Sequence, residues 1–440
     1  MQIQRTKLLS VLSEALDSVE KEIIGTTDHH AKRVAWLCMC MAKELGWSEE
    51  EISYLAISAL LHDSALIKYR ADYSSGGERA DGALKGHCVA GEENLCMIPG
   101  CETSRGFVLY HHEWADGSGP FGKTEAETPL GAQLIHIADM TDRRIPLGNL
   151  TAAELPRLRE YIETQRGRLF GGQMCDLLLS VLTEDLLEAL SEESIVRAAR
   201  AFPEIACETD MRALSGLFAR IIDYKSPFTK DHSVGLAEKA ERMARHYHWD
   251  EETVEQMYCA GALHDIGKLL VKKDILEKPG KLDQEEYQHI QSHAYETYRL
   301  LSKLEGMGQI TEWASFHHEK LNGKGYPFGK TAEQLDEKAR LLACLDIYQA
   351  LTEDRPYKAG MSHQKAASIL QELAEKGELD SCIAADIAAV FHREEQEEES
   401  GRIALFQCSV CGFLYEGEVI PQGYVCPVCG QPETAFLRIR

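Results

Sequence analysis

The 440-residue sequence predicts a mainly α protein: two tandem helical domains followed by a small metal-binding domain. Three observations predict it. The stretch His30 to Asp63 recurs as His232 to Asp265 at a constant offset of 202 residues, so one domain is present twice. Apolar residues in both copies recur at three- and four-residue spacing, as at Val34-Ala35-Leu37 and Leu236-Ala240-Met243, with few β-branched alternations. Two CxxC turns, Cys408/Cys411 and Cys426/Cys429, lie beyond either copy.

The repeat extends past its first block. "GWSEEEISYLAISALLHD" stands against "HWDEETVEQMYCAGALHD", with Trp47 on Trp249 and His62-Asp63 on His264-Asp265. At offset 206, His87 meets His293 and His111-His112-Glu113 meets His317-His318-Glu319. At offset 207, Phe121-Gly122-Lys123-Thr124 meets Phe328-Gly329-Lys330-Thr331, and Asp139 meets Asp346. The copies run from about 15 to 195 and from about 205 to 395. With their helical extensions, the expected domains are 1–200, 201–395 and 396–440. The acidic run 391–401 reads as a solvated linker or a frayed helix end. The N-terminus has no signal-peptide core and reads as an amphipathic helix.

A formal net charge of −24 argues against a surface that tracks duplex DNA. A small phosphorylated ligand remains open, because bound metals and a few local cations dominate a pocket. No apolar run is long enough to span a bilayer, and a cytoplasmic location is expected. Of the 14 cysteines, ten are scattered through helical patterns: Cys38, Cys40, Cys88, Cys96, Cys101, Cys175, Cys207, Cys259, Cys344 and Cys382. They read as buried free thiols.

Each copy carries His, His-Asp, His, His-His and Asp in that order. The second copy has His232, His264, Asp265, His293, His317, His318 and Asp346; the first has His30, His62, Asp63, His87, His111, His112 and Asp139. Imidazoles with carboxylates suit iron, manganese, zinc or nickel. Seven such groups exceed the needs of one ion. An aspartate between two ions can bridge them, and two ions can activate a water and hold a phosphate.

This order of residues resembles the HD superfamily of metal-dependent phosphohydrolases. "HDIGK" (264–268), "HHEKLNGKGYP" (317–327) and "DIYQALTEDRPY" (346–357) in the second copy look like its HD-GYP subfamily. The resemblance implies an all-α fold with a metal centre in its core and hydrolysis of cyclic di-GMP or cyclic GMP-AMP. It implies two metals, iron or manganese, because Phe228 stands where trinuclear members carry Glu. It assigns His232, His264, Asp265 and Asp346 to one metal, with Asp265 bridging to a second held by His293, His317 and His318. Lys268 lies close to one helical turn past Asp265 and is expected to steady the phosphate, making Asp265 and Lys268 the catalytic pair. Arg355, Gly325 and Tyr326 are further candidates for substrate contact, the latter two in the loop Gly323 to Pro327 that names the subfamily. Asn322 and Gln349 replace aspartates usual in the family; neither is an expected ligand.

The first copy keeps every expected ligand and loses the surrounding chemistry. Leu66 stands where Lys268 does, Gly148 aligns with Arg355, and "DGSGPFG" (116–122) lacks the loop tyrosine. Metal is expected there too, in a domain that regulates or senses and packs against the second as a pseudo-symmetric dimer. An active first copy with another substrate is the alternative.

Cys408, Cys411, Cys426 and Cys429 can present four sulfurs tetrahedrally to iron or zinc. "CSVCGFLYEG" and "YVCPVCGQPETAF" resemble the rubredoxin-like domain of rubrerythrins, which implies a small β-rich fold with one iron, zinc being the alternative. A four-sulfur redox site beside a His/Asp centre suggests redox control. The expected partners are a cyclic dinucleotide, an electron-transfer protein and a second copy in a homodimer, with neither duplex DNA nor a membrane. Two other functions compete: an HD-type di-iron oxygenase fed by the rubredoxin-like domain, and a non-catalytic nucleotide or redox sensor.

Overall fold

A computed structural model describes residues 5–73, 78–203, 210–225, 232–278, 280–354, 359–401, 404–411, 413–417, 420–421 and 424–438. Cys207, Phe228 and Arg355 lie outside the described residues. The protein is mainly helical, with one small sheet at its C-terminal end.

The two copies fold alike because the same local signals recur. Helix His30–Glu44 and its counterpart His232–His246 are each followed by a tight turn into a second helix, Glu49–Leu60 or Glu251–Leu263. Ser48 caps the former by accepting from the Glu51 amide at 3.3 Å, and Asp250 caps the latter by accepting from the Thr253 amide at 2.8 Å. The repeated tryptophan-plus-acidic stretch is therefore a helix start. Each second helix ends on its His-Asp pair, and a 3₁₀ turn follows: Leu66–Tyr69 in one copy, Ile266–Leu270 in the other. Helices Glu78–Leu95 and Gln284–Leu301 carry the next histidine, and Leu130–Arg144 and Glu337–Thr352 carry the last aspartate.

The N-terminal helix, Arg5–Ile24, is not the half-solvated amphipathic helix its pattern suggests. Leu8, Leu9, Leu12, Ala15, Leu16 and Val19 are buried, and so are the polar Ser10, Ser13, Asp17 and Glu20. The cause is that both domains cover it. Asp17 accepts from the Ala31 amide of the first domain at 2.9 Å. Glu22 meets Lys225 Nζ at 3.0 Å and the Lys273 amide at 3.2 Å, both in the second, and the same Lys225 donates to the Leu269 carbonyl at 3.3 Å. One continuous apolar core takes in residues of both domains. Each leucine buried there contributes roughly 1.5–3 kcal/mol, so the N-terminal helix is a structural part of both.

The acidic run continues as helix: Ser381–Gly401 is unbroken. Strand β1 (Ala404–Cys408) then lies between antiparallel β2 (Leu414–Gly417) and β3 (Phe436–Arg438). A separate small core forms there from Cys408, Cys426 and Phe436 with Phe406, Phe413, Tyr415 and Tyr424. Of the scattered cysteines, Cys38, Cys88, Cys101, Cys175, Cys259 and Cys344 are buried and outside any disulfide, as expected, but Cys96 and Cys382 are exposed and Cys40 half-buried. Helical periodicity puts a thiol on a helix without saying which face meets solvent. No helix among the described residues is long and apolar enough to cross a membrane.

Candidate metal centres

In the second domain, helices and the turns between them deliver seven ligand-type side chains to one buried point, His293 and Asp346 from helix interiors. His264 Nδ1 donates to the Gly261 carbonyl at 2.7 Å, His293 Nδ1 to that of Ile290 at 2.6 Å and His317 Nδ1 to that of Ala314 at 2.6 Å. Each bond holds the Nδ1 hydrogen outward and aims the Nε2 lone pair inward. Burial pushes His293 down to about 3 and His317 well below its ordinary range, so both are neutral lone-pair donors.

Asp265 stands between two groups. Its Oδ2 lies 3.0 Å from His264 Nε2 and 4.0 Å from His232 Nε2, while its Oδ1 lies 3.4 Å from His293 Nε2 and 3.8 Å from His317 Nε2. Asp346 closes the first group, with Oδ1 3.2 Å from His232 Nε2, and its Oδ2 is 3.6 Å from His318 Nδ1. His232, His264 and Asp346 form one potential ligand set and His293, His317 and His318 another. Although buried, Asp265 is held well below the usual carboxylate range by His264, Lys268 and His293. Buried Asp265 Oδ1 and His264 Nε2 have no hydrogen-bond partner. Orphaned buried atoms of this kind, in a nitrogen and oxygen set, fit a pair of divalent metals.

Lys268 Nζ pairs with Asp265 Oδ2. Tyr326 reaches the same centre: its ring centroid is 4.7 Å from that of His318, and burial keeps its hydroxyl protonated. Gly325 permits this loop path, because a Cβ there would sit 2.4 Å from the Lys320 nitrogen and 2.5 Å from Glu319 Cα. The Glu319 of the His-His-Glu run has a different task from its neighbours. It accepts from the Phe328 and Lys330 amides at 2.7 and 2.9 Å and so pins the loop.

The first domain repeats the plan. Asp63 Oδ2 lies 3.7 Å from His62 Nε2, and its Oδ1 lies 3.2 Å from His87 and 3.5 Å from His111. His30 Nε2 lies 3.2 Å from Asp139. His112 packs against His111, ring centroids 3.9 Å apart. Both Asp63 oxygens, His62 Nε2 and His111 Nε2 are buried without hydrogen-bond partners, so this set also fits metal.

Several site residues escaped the sequence reading. Glu20, on the N-terminal helix, puts a buried carboxylate 3.9 Å from His30 Nε2. Asp142 orients His30 at 2.6 Å, whereas in the second domain the corresponding Gln349 hands that task to Glu353, 2.7 Å from His232 Nδ1. Arg143, where the second copy has Ala350, lies 3.5 Å from Asp139 Oδ2. The first domain therefore does hold a cation at its centre, contrary to the expectation from Leu66 and Gly148. The repeat alignment tracks lost cations and is blind to one gained on a neighbouring turn.

In the C-terminal domain the four sulfurs converge: Cys408 to Cys429 is 3.6 Å and Cys411 to Cys426 is 3.5 Å. Amides of Cys411 and Val410 aimed at Cys408 lower its thiol to about 7.

Residues 27–144 and 216–383 each match the HD domain family, and residues 406–436 match the rubrerythrin, rubredoxin-like domain. The chain is 30% identical over 383 residues to 3'3'-cGAMP-specific phosphodiesterase 1 of Vibrio cholerae serotype O1, covering 84% of this chain and 88% of that protein. It is 37% identical over 149 residues to a cyclic di-GMP phosphodiesterase of Pseudomonas aeruginosa, about a third of each chain (34% and 35%). A crystal structure of a cyclic GMP-AMP-specific phosphodiesterase of V. cholerae shares the fold, with a TM-score of 0.62 at 23% identity over 89% of this chain and 98% of that one.

Proposed function

The chain belongs to the HD-GYP family of phosphodiesterases, carrying two HD domains and a C-terminal rubredoxin-like domain, and from this premise we propose that its second HD domain hydrolyses a cyclic dinucleotide. The observation that carries the proposal is the Asp265 carboxylate, whose two oxygens face two separate imidazole groups while Lys268 sits on the same carboxylate. His232, His264, Asp265 and Asp346 would hold one divalent metal, iron or manganese, and Asp265, His293, His317 and His318 the other. Bound there, the pair supplies an activated water and neutralises the phosphate.

The chain's own groups do the rest. Asp265, held anionic, keeps the two ligand sets in register. Lys268, poised beside Asp265, would offer its ammonium to a phosphate oxygen. Tyr326 and the backbone around Gly325 shape the wall beside His318, where a nucleotide would lie. Cyclic di-GMP and cyclic GMP-AMP are the substrates to test, by chromatography, on the anaerobic, ferrous-loaded chain. If metal is bound and neither is cleaved, the proposal is wrong, and product analysis under oxygen then tests the oxygenase reading.

Replacing Lys268 by Met is expected to lower kcat about a hundredfold while both metals stay bound. Metal analysis beside steady-state kinetics checks this; an unchanged kcat would remove Lys268 from the reaction.

The rubredoxin-like domain supports redox control of this activity, since its set of four cysteines suits a one-electron iron site. Cleavage by the wild-type chain is then expected to differ between reducing and oxidising buffer. With Cys408, Cys411, Cys426 and Cys429 all replaced by Ser, that difference should change or disappear. Equal responses in both chains would end the redox proposal.

A further inference from the structure

The two candidate metal centres differ in one further potential donor atom, the sulfur of Cys88. Cys88 follows His87 on helix Glu78–Leu95, and the second copy has Ala294 at the same place. The Cys88 side chain is fully buried. Its Sγ lies 3.7 Å from His87 Nε2 and 3.9 Å from His111 Nδ1, whose hydrogen goes to the Val108 carbonyl at 2.6 Å, leaving Nε2 as the ligand atom of His111. His87, Cys88, His111 and His112 can each offer one ligand atom, all within 4.8 Å of one another. Among the described residues, the corresponding set in the second domain has three members, His293, His317 and His318.

Independent features show that this corner is built for a ligand. Asp63 presents two buried carboxylate oxygens, and His111 a buried Nε2, with no hydrogen-bond partner. His87 Nδ1 meets the Tyr73 hydroxyl at 2.6 Å and the Ala83 carbonyl at 3.3 Å, so its hydrogen is held there and Nε2 faces the sulfur and Asp63.

We propose that Cys88 is a further protein ligand in the first domain, adding a thiolate to the Asp63/His87/His111/His112 position and turning its preference towards zinc. The inference rests on the reading that the first domain binds metal at all. Thiolate is a soft donor, and a thiolate among imidazoles shifts a ligand set towards zinc, which takes both. Coordination releases the thiol proton to solvent. Asp63, three imidazoles and the thiolate make five protein donors there, one more than the second domain offers with Ala294, so less of the metal is left for a water or a phosphate oxygen. The duplication would thus have produced one centre for chemistry and one for structure.

The test uses the full chain with Cys408, Cys411, Cys426 and Cys429 replaced by Ser, so that no sulfur signal comes from the C-terminal cysteine cluster. Titrated with cobalt(II), this chain is expected to develop a thiolate-to-cobalt charge-transfer band that zinc bleaches. X-ray absorption of its zinc form should show a sulfur at about 2.3 Å. Both signals should vanish in Cys88→Ser, which keeps the shape of the side chain, and in Cys88→Ala, which copies the second domain. Zinc retention by either variant should fall at least tenfold. A band that survives both substitutions, or zinc in the parent surrounded by nitrogen and oxygen alone, overturns the ligand assignment. No metal lost on His62→Ala/Asp63→Ala overturns it together with the premise that the first domain binds metal; cleavage by the second domain reports separately on the proposed function.

Discussion

Asp265→Ala is expected to abolish cyclic-dinucleotide cleavage, by at least about a thousandfold, or ~4 kcal/mol of barrier. The same change at Asp63 should leave cleavage within about tenfold of wild type. The asymmetry follows from what surrounds two otherwise matching carboxylates. Asp265 has imidazoles on both oxygens and the ammonium of Lys268 beside it. Asp63 has imidazoles on both oxygens too, but Leu66 occupies the lysine position and Cys88 crowds the second ligand set. Removing Asp265 takes away the group shared by both sets, so bound metal should fall as well. Chromatography of the product and metal analysis of the purified variants provide the two readouts. If Asp63→Ala kills cleavage and Asp265→Ala spares it, catalysis belongs to the first domain and the proposed division of labour is reversed.

Most of this architecture was legible in the sequence, for a physical reason. A metal centre built on several helices and turns needs particular residue types at particular places, and a duplicated domain displays those requirements twice. His62-Asp63 and His264-Asp265 stand out because their neighbours drifted while they did not. What stayed hidden is contributed across space. Glu20 comes from a helix ten residues before His30 and carries no motif. Arg143 lies one turn beyond Asp139, where alignment with the second copy meets only alanine. Cys88 was one thiol among ten scattered through helical patterns, and only the fold puts it beside His87 and His111. Glu319 reads as part of a ligand run, yet both its oxygens are taken by loop amides. Each case turns on which way a side chain faces, which spacing along the chain leaves undetermined.

Gly267→Ala is expected to be a damaging single-methyl change in the second domain. A Cβ there would lie 2.0 Å from the His293 carbonyl oxygen and 2.8 Å from the Thr297 nitrogen, both backbone atoms that cannot swing aside. The contact joins the turn carrying His264, Asp265 and Lys268 to the helix carrying His293. Thr297 Oγ1 accepts from the Gly267 amide at 3.1 Å and donates to the His264 carbonyl at 2.9 Å, so the two elements are latched at this point. Overpacking should cost about 1–3 kcal/mol in stability. A displacement of about 1 Å between Asp265 and His293 should cost about a hundredfold in cleavage. The first domain is joined differently here: it has Ala65 on the turn and Gly91 on the helix, so it lacks the threonine latch. There the turn is tied instead by Asn94, which donates to Ser64 Oγ at 3.2 Å, where the second domain has Leu300 and Ile266. The double variant Gly267→Ala/Thr297→Gly should therefore lose less than the sum of the two single losses, because both changes break the same latch, a coupling that a double-mutant cycle in denaturant measures. Strictly additive losses would mean that the turn and the helix are not held by this contact, and that the spacing of the two ligand sets is set elsewhere in the core.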